Sequence, residues 1–169
     1  RVGSGKTTLG KLLAGLYSPS TGTVLIDGVE ISRFEPADLR AGVGFVRIVD
    51  RDFVEISNLQ RQVLFDEADV ISNMPKSVAA ANKLRAVNSA ITIEPVVADI
   101  NRTNILDLCS DVDLILDGTD NFEVRYLIND AAVKLGKPWV FGGAVGTEGQ
   151  SMTIIPGSRC LYSIDTRSP

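Results

Sequence analysis

The residues of this chain whose types could do chemistry gather at the ends of two apolar runs. Asp50 closes the run Val43, Phe45, Val46, Ile48 and Val49, whose only charge is Arg47, and Asp117 to Asn121 close a second run from Val112 to Leu116. A carboxylate at the carboxyl end of a buried parallel strand stands where open α/β sheets bind ligands. Asp50 is therefore placed to accept hydrogen bonds from ribose hydroxyls, a solvated turn being its plainer role. Between the two runs, Ser57, Asn58, Gln60, Arg61 and Gln62 crowd hydrogen-bonding groups around one apolar residue, Leu59. So many forked donors together are more than a solvated loop needs, the plainer role of Arg61 being an internal ion pair with Asp52 or Glu55. Lys76 falls just inside a predicted helix start, which is unfavourable for a cation unless an anion is at hand; its plain role is a surface lysine. At the amino terminus, Arg1 to Thr8 read RVGSGKTT, the pattern GxxxxGK[ST] without its first glycine. Gly3 and Gly5 let backbone N–H groups point at phosphates, Lys6 neutralises them, and Thr7 can ligate Mg²⁺ at a helix start.

The elements that must position these residues follow from periodicity and punctuation. Leu9, Leu12, Leu13 and Leu16 stripe a helix that ends near Gly15, a turn occupies residues 17–22, and Thr23 to Ile26 form a strand closed by Asp27 and Gly28. Pro75 fits the first position of a helix reaching about Asn88, with Val78, Ala81, Leu84 and Val87 along one face. Ile91 to Ala98 read as a strand that Pro95 confines to an edge or a bulge. Thr103 to Ser110 form a short helix and Val112 to Leu116 a buried strand. A longer helix from about Asn121 to Leu135 is capped by Thr119 or Asp120 and stopped by Gly136 and Pro138. Trp139 to Phe141 and Ser151 to Ile155 are strands flanking a glycine-rich loop, Gly142 to Gly149. The alternation predicts a three-layer, Rossmann-like α/β domain with a mainly parallel sheet, whose ligand side is the strand ends near Asp50 and Asp120.

Bulk properties narrow the function. With 169 residues, 44% of them hydrophobic, the chain can form one well-cored domain or two small ones. A formal net charge of −4 argues against a nucleic-acid surface. Two cysteines, Cys109 and Cys160, make no disulfide framework, and the lack of histidine excludes His-based triads and His-ligated metals. No apolar run reaches the ~20 residues of a membrane span and no signal peptide is visible, so a soluble, cytoplasmic protein is expected.

Two resemblances divide the chain. Residues 1–46, from the Walker A pattern through PSTGTVLIDGVEI to PADLR, resemble the nucleotide-binding domain of ABC transporters, but no LSGGQ signature follows. From about Ala41 the chain resembles the ThiF/MoeB/HesA adenylyltransferases, relatives of ubiquitin-activating enzymes. That match runs through VDRDFVEISNLQRQVLF, the MPK at Met74 to Lys76, VDLILDGTDNFEVRYLIND and GGAVGTEGQ. The chain thus reads as a P-loop segment, 1–46, joined to an adenylyltransferase domain, 47–169, truncated at both ends relative to the family. The second resemblance implies that the carboxylate of a ubiquitin-like sulfur-carrier protein is adenylated by ATP. Arg61, Lys76 and Asp120 are then the catalytic residues, Asp120 holding Mg²⁺. Asp50, Ser57, Asn58, Leu59, Gln60 and Asn121 complete the nucleotide contacts, with Gly3, Gly5, Lys6 and Thr7 as the separate P-loop set. It also implies a homodimer. Zinc is not expected, since Cys160 lacks its CxxC partner, and Cys109 reads as core. The alternatives are a P-loop NTPase or ABC ATP-binding fragment, Lys6 and Thr7 acting with Asp117, and an inactive chimera that retains only nucleotide binding.

Overall fold

Apolar runs that alternate with helical stretches fold here into strand, helix, strand units. The computed structural model describes residues 25–26, 29–30, 42–145, 148–157 and 161. The chain divides into two compact units, one ending at Asp99 and the other running from Ile100. Gly3, Gly5, Lys6 and Thr7, the leucine stripe after them, and Cys160 lie outside the described residues.

In the unit ending at Asp99, β1 (Leu25–Ile26) and β2 (Val29–Glu30) form a minimal antiparallel pair. β3 (Phe45–Val49) and β4 (Thr92–Val96) pair in parallel, Ile48 opposite Pro95. A sheet of two strands among the described residues makes β4 an edge there, where a proline is tolerated. Arg47, the one charge in β3, lies opposite Glu94 and donates to it through Nε at 3.0 Å and Nη2 at 2.8 Å. That cross-strand pair explains a cation inside an apolar run. β3 is half-buried instead of buried, and Val43 lies outside it and is exposed.

Three helices follow β3: α1 (Ile56–Leu59), α2 (Glu67–Ile71) and α3 (Lys76–Val87). Asp66 N-caps α2, accepting from the amides of Ala68 and Asp69, and Lys83 of α3 lies 2.6 Å from both Asp66 and Asp69. Pro75 is the N-cap of α3, one position before the predicted first turn, because its ψ of 139° is extended. The buried residues of α3 are Ser77, Ala79, Ala80 and Ala81, and the helix packs against β3 and β4; small side chains let it approach the strands closely. Val87, expected to share a face with Val78, Ala81 and Leu84, is 81% exposed at the last position of the helix.

The second unit holds α4 (Ile105–Ser110), β5 (Ile115–Asp117), α5 (Phe122–Leu135), β6 (Trp139–Val145) and β7 (Glu148–Ile154). β5 and β6 are parallel, joined by α5, and β7 returns antiparallel to β6 from Trp139↔Ile154 to Val145↔Glu148. Gly142 to Gly149, predicted as a loop, therefore belongs mostly to a hairpin. Its glycines hid the strand signal, since they lack the branched or aromatic side chains by which strands are recognised. The core joins Ile105, Cys109, Ile115, Ile128, Trp139 and Phe141 with neighbours that include Leu161. Leu161 donates its amide to Asn129 Oδ1 of α5 at 3.0 Å, which satisfies an amide side chain only 1% exposed.

Candidate functional site

Each unit presents a strand end beside a helix start, and the predicted residues divide between them. At the end of β3, Asp50 accepts the amide of Asp52 through Oδ1 at 2.8 Å, which turns the chain outward. The same turn meets the start of α3: Lys76 donates its amide to the Asp52 carbonyl at 2.8 Å and its Nζ to Asp52 Oδ2 at 2.9 Å. Ser77 Oγ reaches the Asp50 carbonyl at 3.4 Å. The Lys76 side chain is 15% exposed, its stem packed away while the ammonium at the positive end of a helix meets the exposed carboxylate of Asp52 as its anion. The sequence required such an anion without showing which residue supplies it, since Asp52 and Lys76 lie 24 positions apart. Arg51 is drawn aside to Asp99 at 2.8 Å.

The polar run folds as α1 and its exit. Asn58 is 5% exposed, and its Oδ1 accepts the Glu55 amide at 3.1 Å, so this side chain closes its own helix start. Ser57 Oγ donates to Glu55 at 3.2 Å. Arg61 is exposed and folds back onto the Ser57 carbonyl at 2.6 Å. It makes neither of the ion pairs foreseen for it, because Asp52 is held by Lys76 and Glu55 by Ser57. Leu59 is half-buried and Gln60 exposed.

In the second unit, β5 ends on Asp117, whose side chain is wholly buried. Its Oδ1 accepts the Thr119 amide at 2.7 Å and its Oδ2 accepts Arg125 Nε at 3.0 Å. With both oxygens engaged, Asp117 is not available as the metal carboxylate that a P-loop NTPase reading requires. Arg125 also donates Nη2 to the Thr119 carbonyl at 2.7 Å, and its guanidinium lies 4.8 Å from the Phe141 ring centre and 5.3 Å from that of Phe122. The sequence reading missed Arg125. The signal was a cation in the first turn of a helix, where it needs a partner, at a position flanked by Val124 and Tyr126.

Asn121 caps α5 by accepting the Glu123 amide at 2.9 Å, in place of the predicted Thr119 or Asp120. Asp120 is thereby left exposed, and none of the described residues donates to its carboxylate. Among the described residues no cluster of three or more acidic or sulfur ligands could hold a metal alone. Mg²⁺ is ordinarily held by one or two carboxylates together with substrate phosphates, and an open carboxylate such as Asp120 fits that mode. The groove of about 360 Å³ between α4 and α5, lined by Arg102, Ile105, Leu106 and Tyr126 among others, contains none of the predicted site residues.

Parallel strands joined through helices, with acidic residues at the strand ends, define a mixed α/β protein of Rossmann-like type. The model of the ThiF family matches residues 39–169, and the chain belongs to that family. It is 49% identical over 127 residues to the sulfur carrier protein ThiS adenylyltransferase of Bacillus subtilis (strain 168), covering 75% of this chain and 38% of that protein. Over 128 residues it is 38% identical to the SAMP-activating enzyme E1 of Haloferax volcanii, covering 76% of this chain and 47% of the relative. Among solved structures, E. coli MccB with ATP superposes with a TM-score of 0.64 at 27% identity, over 70% of this chain and 35% of that one. The chain thus spans less than half the length of these relatives. None of the described helices is long and apolar enough to cross a membrane.

Proposed function

We propose that this chain activates the carboxyl-terminal carboxylate of a ubiquitin-like sulfur-carrier protein as an acyl adenylate, using ATP. The observation that carries the reading is Lys76, whose ammonium stands at the start of α3 beside the end of β3, held by the exposed carboxylate of Asp52 that a phosphate can replace. Family membership and the identity to a sulfur carrier protein adenylyltransferase support it.

In this reading Asp50 accepts the ribose hydroxyls. Ser57, Asn58, Leu59, Gln60 and Arg61 flank the nucleotide, Arg61 swinging from the Ser57 carbonyl onto phosphate oxygens. Lys76 exchanges Asp52 for phosphate. Asp120, with Asn121 beside it, holds Mg²⁺, which offsets phosphate charge when bound. A carboxylate oxygen of the carrier attacks the α-phosphorus, the bond from that phosphorus to the bridging oxygen breaks, and pyrophosphate leaves with the electron pair. No side-chain nucleophile or proton transfer is needed, so positioning and charge neutralisation supply the rate. A homodimer is part of the proposal, with sedimentation velocity as its check.

Exchange of labelled pyrophosphate into ATP in the presence of carrier protein tests the reading. Asp120→Ala and Lys76→Ala should each lower exchange by about 10²-fold or more, the scale of losing a charge-stabilising group. Lys6→Ala should leave it unchanged. Phosphate release that vanishes with Lys6→Ala yet ignores Asp120→Ala would instead assign the activity to the amino-terminal P-loop pattern.

A further inference from the structure

We infer that Arg125 is a positioning residue for Asp120, fixing the turn that presents this carboxylate without touching the nucleotide or its metal. The inference rests on the adenylyltransferase reading for the role of Asp120 and gives a task to a residue that is not among the nucleotide contacts.

Arg125 is an expensive residue where it stands. It is 7% exposed, it lies in the first turn of α5 where the helix end is itself positive, and its partner Asp117 is fully buried. A buried ion pair of this kind is often no more stabilising than well-packed apolar side chains of the same volume. What an apolar side chain cannot do is hold two acceptors at once. The guanidinium spans Asp117 Oδ2 through Nε and the Thr119 carbonyl through Nη2, while Asp117 Oδ1 takes the Thr119 amide. Both backbone groups of Thr119 are thereby fixed. On the far side, Asn121 is fixed as the cap of α5. Asp120 is the residue between these two anchors, and its own carboxylate accepts nothing from the described residues. Phe122 and Phe141 lie against the guanidinium, and Gly143 lies beside it, where a Cβ would meet Nη1 at 3.6 Å and Nη2 at 3.7 Å in ordinary contact. The arrangement holds a metal-facing carboxylate in place from both flanks and leaves its oxygens open.

The test uses the full chain as wild type, Arg125→Lys, Arg125→Gln and Asp120→Ala, and reads equilibrium ATP binding with and without Mg²⁺ together with hydrogen exchange at the Thr119 amide. Lysine keeps the charge against Asp117 but cannot span both acceptors. In Arg125→Lys the gain in ATP affinity due to Mg²⁺ should fall roughly 10–100-fold, the range for losing an outer partner of a metal ligand. Affinity for metal-free ATP should hold, and the Thr119 amide should exchange faster. A merely structural arginine predicts a lowered melting temperature with both affinities falling in parallel, and that result overturns the inference. If Arg125→Gln does not fold, Arg125→Lys decides alone. An unchanged Mg²⁺ response in Arg125→Lys, with that response lost in Asp120→Ala, removes the positioning role and leaves the adenylyltransferase reading standing. A wild type that binds no ATP in either condition removes both.

Discussion

Asp117 and Asp120 are three residues apart and have opposite fates, which local geometry decides. Asp117 faces inward from β5 and is consumed by Arg125 and the Thr119 amide, whereas Asp120, beyond the turn, keeps its oxygens free. Removing one partner of a buried, hydrogen-bonded pair strands the other, so Asp117→Ala should destabilise the fold by about 3–5 kcal/mol in urea unfolding. Asp120→Ala should leave stability unchanged in the same experiment, because its carboxylate accepts nothing from the described residues. The sequence placed both carboxylates at a strand end through the abrupt stop of an apolar run. It did not separate them, since facing inward or outward depends on where β5 stops, and β5 includes Asp117 itself.

Helix α5 was legible almost to the residue. Its apolar positions recur at helical spacing, and Gly136 adopts φ +64°, the left-handed cap that a residue without Cβ adopts freely. No atom lies within 4 Å of a Cβ built there, so Gly136→Ala should cost only backbone strain, about 1–2 kcal/mol by thermal or denaturant unfolding. Helix α3 was legible in extent but not in its inner face. Alanines and a serine carry little hydrophobic signal, while Val87, which carries more, points to solvent. The β6–β7 hairpin was missed because its glycines resemble a loop by composition. The tie between α2 and α3 was invisible because it joins residues 17 positions apart. That tie sets a pH dependence. The Lys83 ammonium and the Asp69 amide hold the Asp66 carboxyl below its ordinary 3.8, and Asp66 and Asp69 hold Lys83 above its ordinary 10.5. A lowered acid pKa gives stability that is complete above the ordinary value and fades as pH falls through the lowered one. A raised lysine pKa gives stability that is complete below its ordinary value and fades as pH rises through the raised one. The stability difference between wild type and Lys83→Met should therefore stay constant through neutrality, shrink below pH 3.8 and shrink again above pH 10.5.

At the scale of the whole molecule, each of the two units carries a parallel strand that ends at a carboxylate and is followed by a helix start, and the proposed function asks only a few side chains of each to meet a charged ligand. The chain carries a net charge of −4, so it has no general attraction for a nucleotide, and local cations must provide it. Lys76 enters that task with an internal counterion already bound at 2.9 Å. On the proposed function an arriving phosphate replaces Asp52, not water alone, and added electrolyte weakens the resident pair as well as the incoming one. The two effects offset, so ATP binding should decline less steeply with ionic strength in the wild type than in Asp52→Asn, where the ammonium stands bare. In that role the resident aspartate would make Lys76 a buffered receptor, trading peak affinity for constancy across salt.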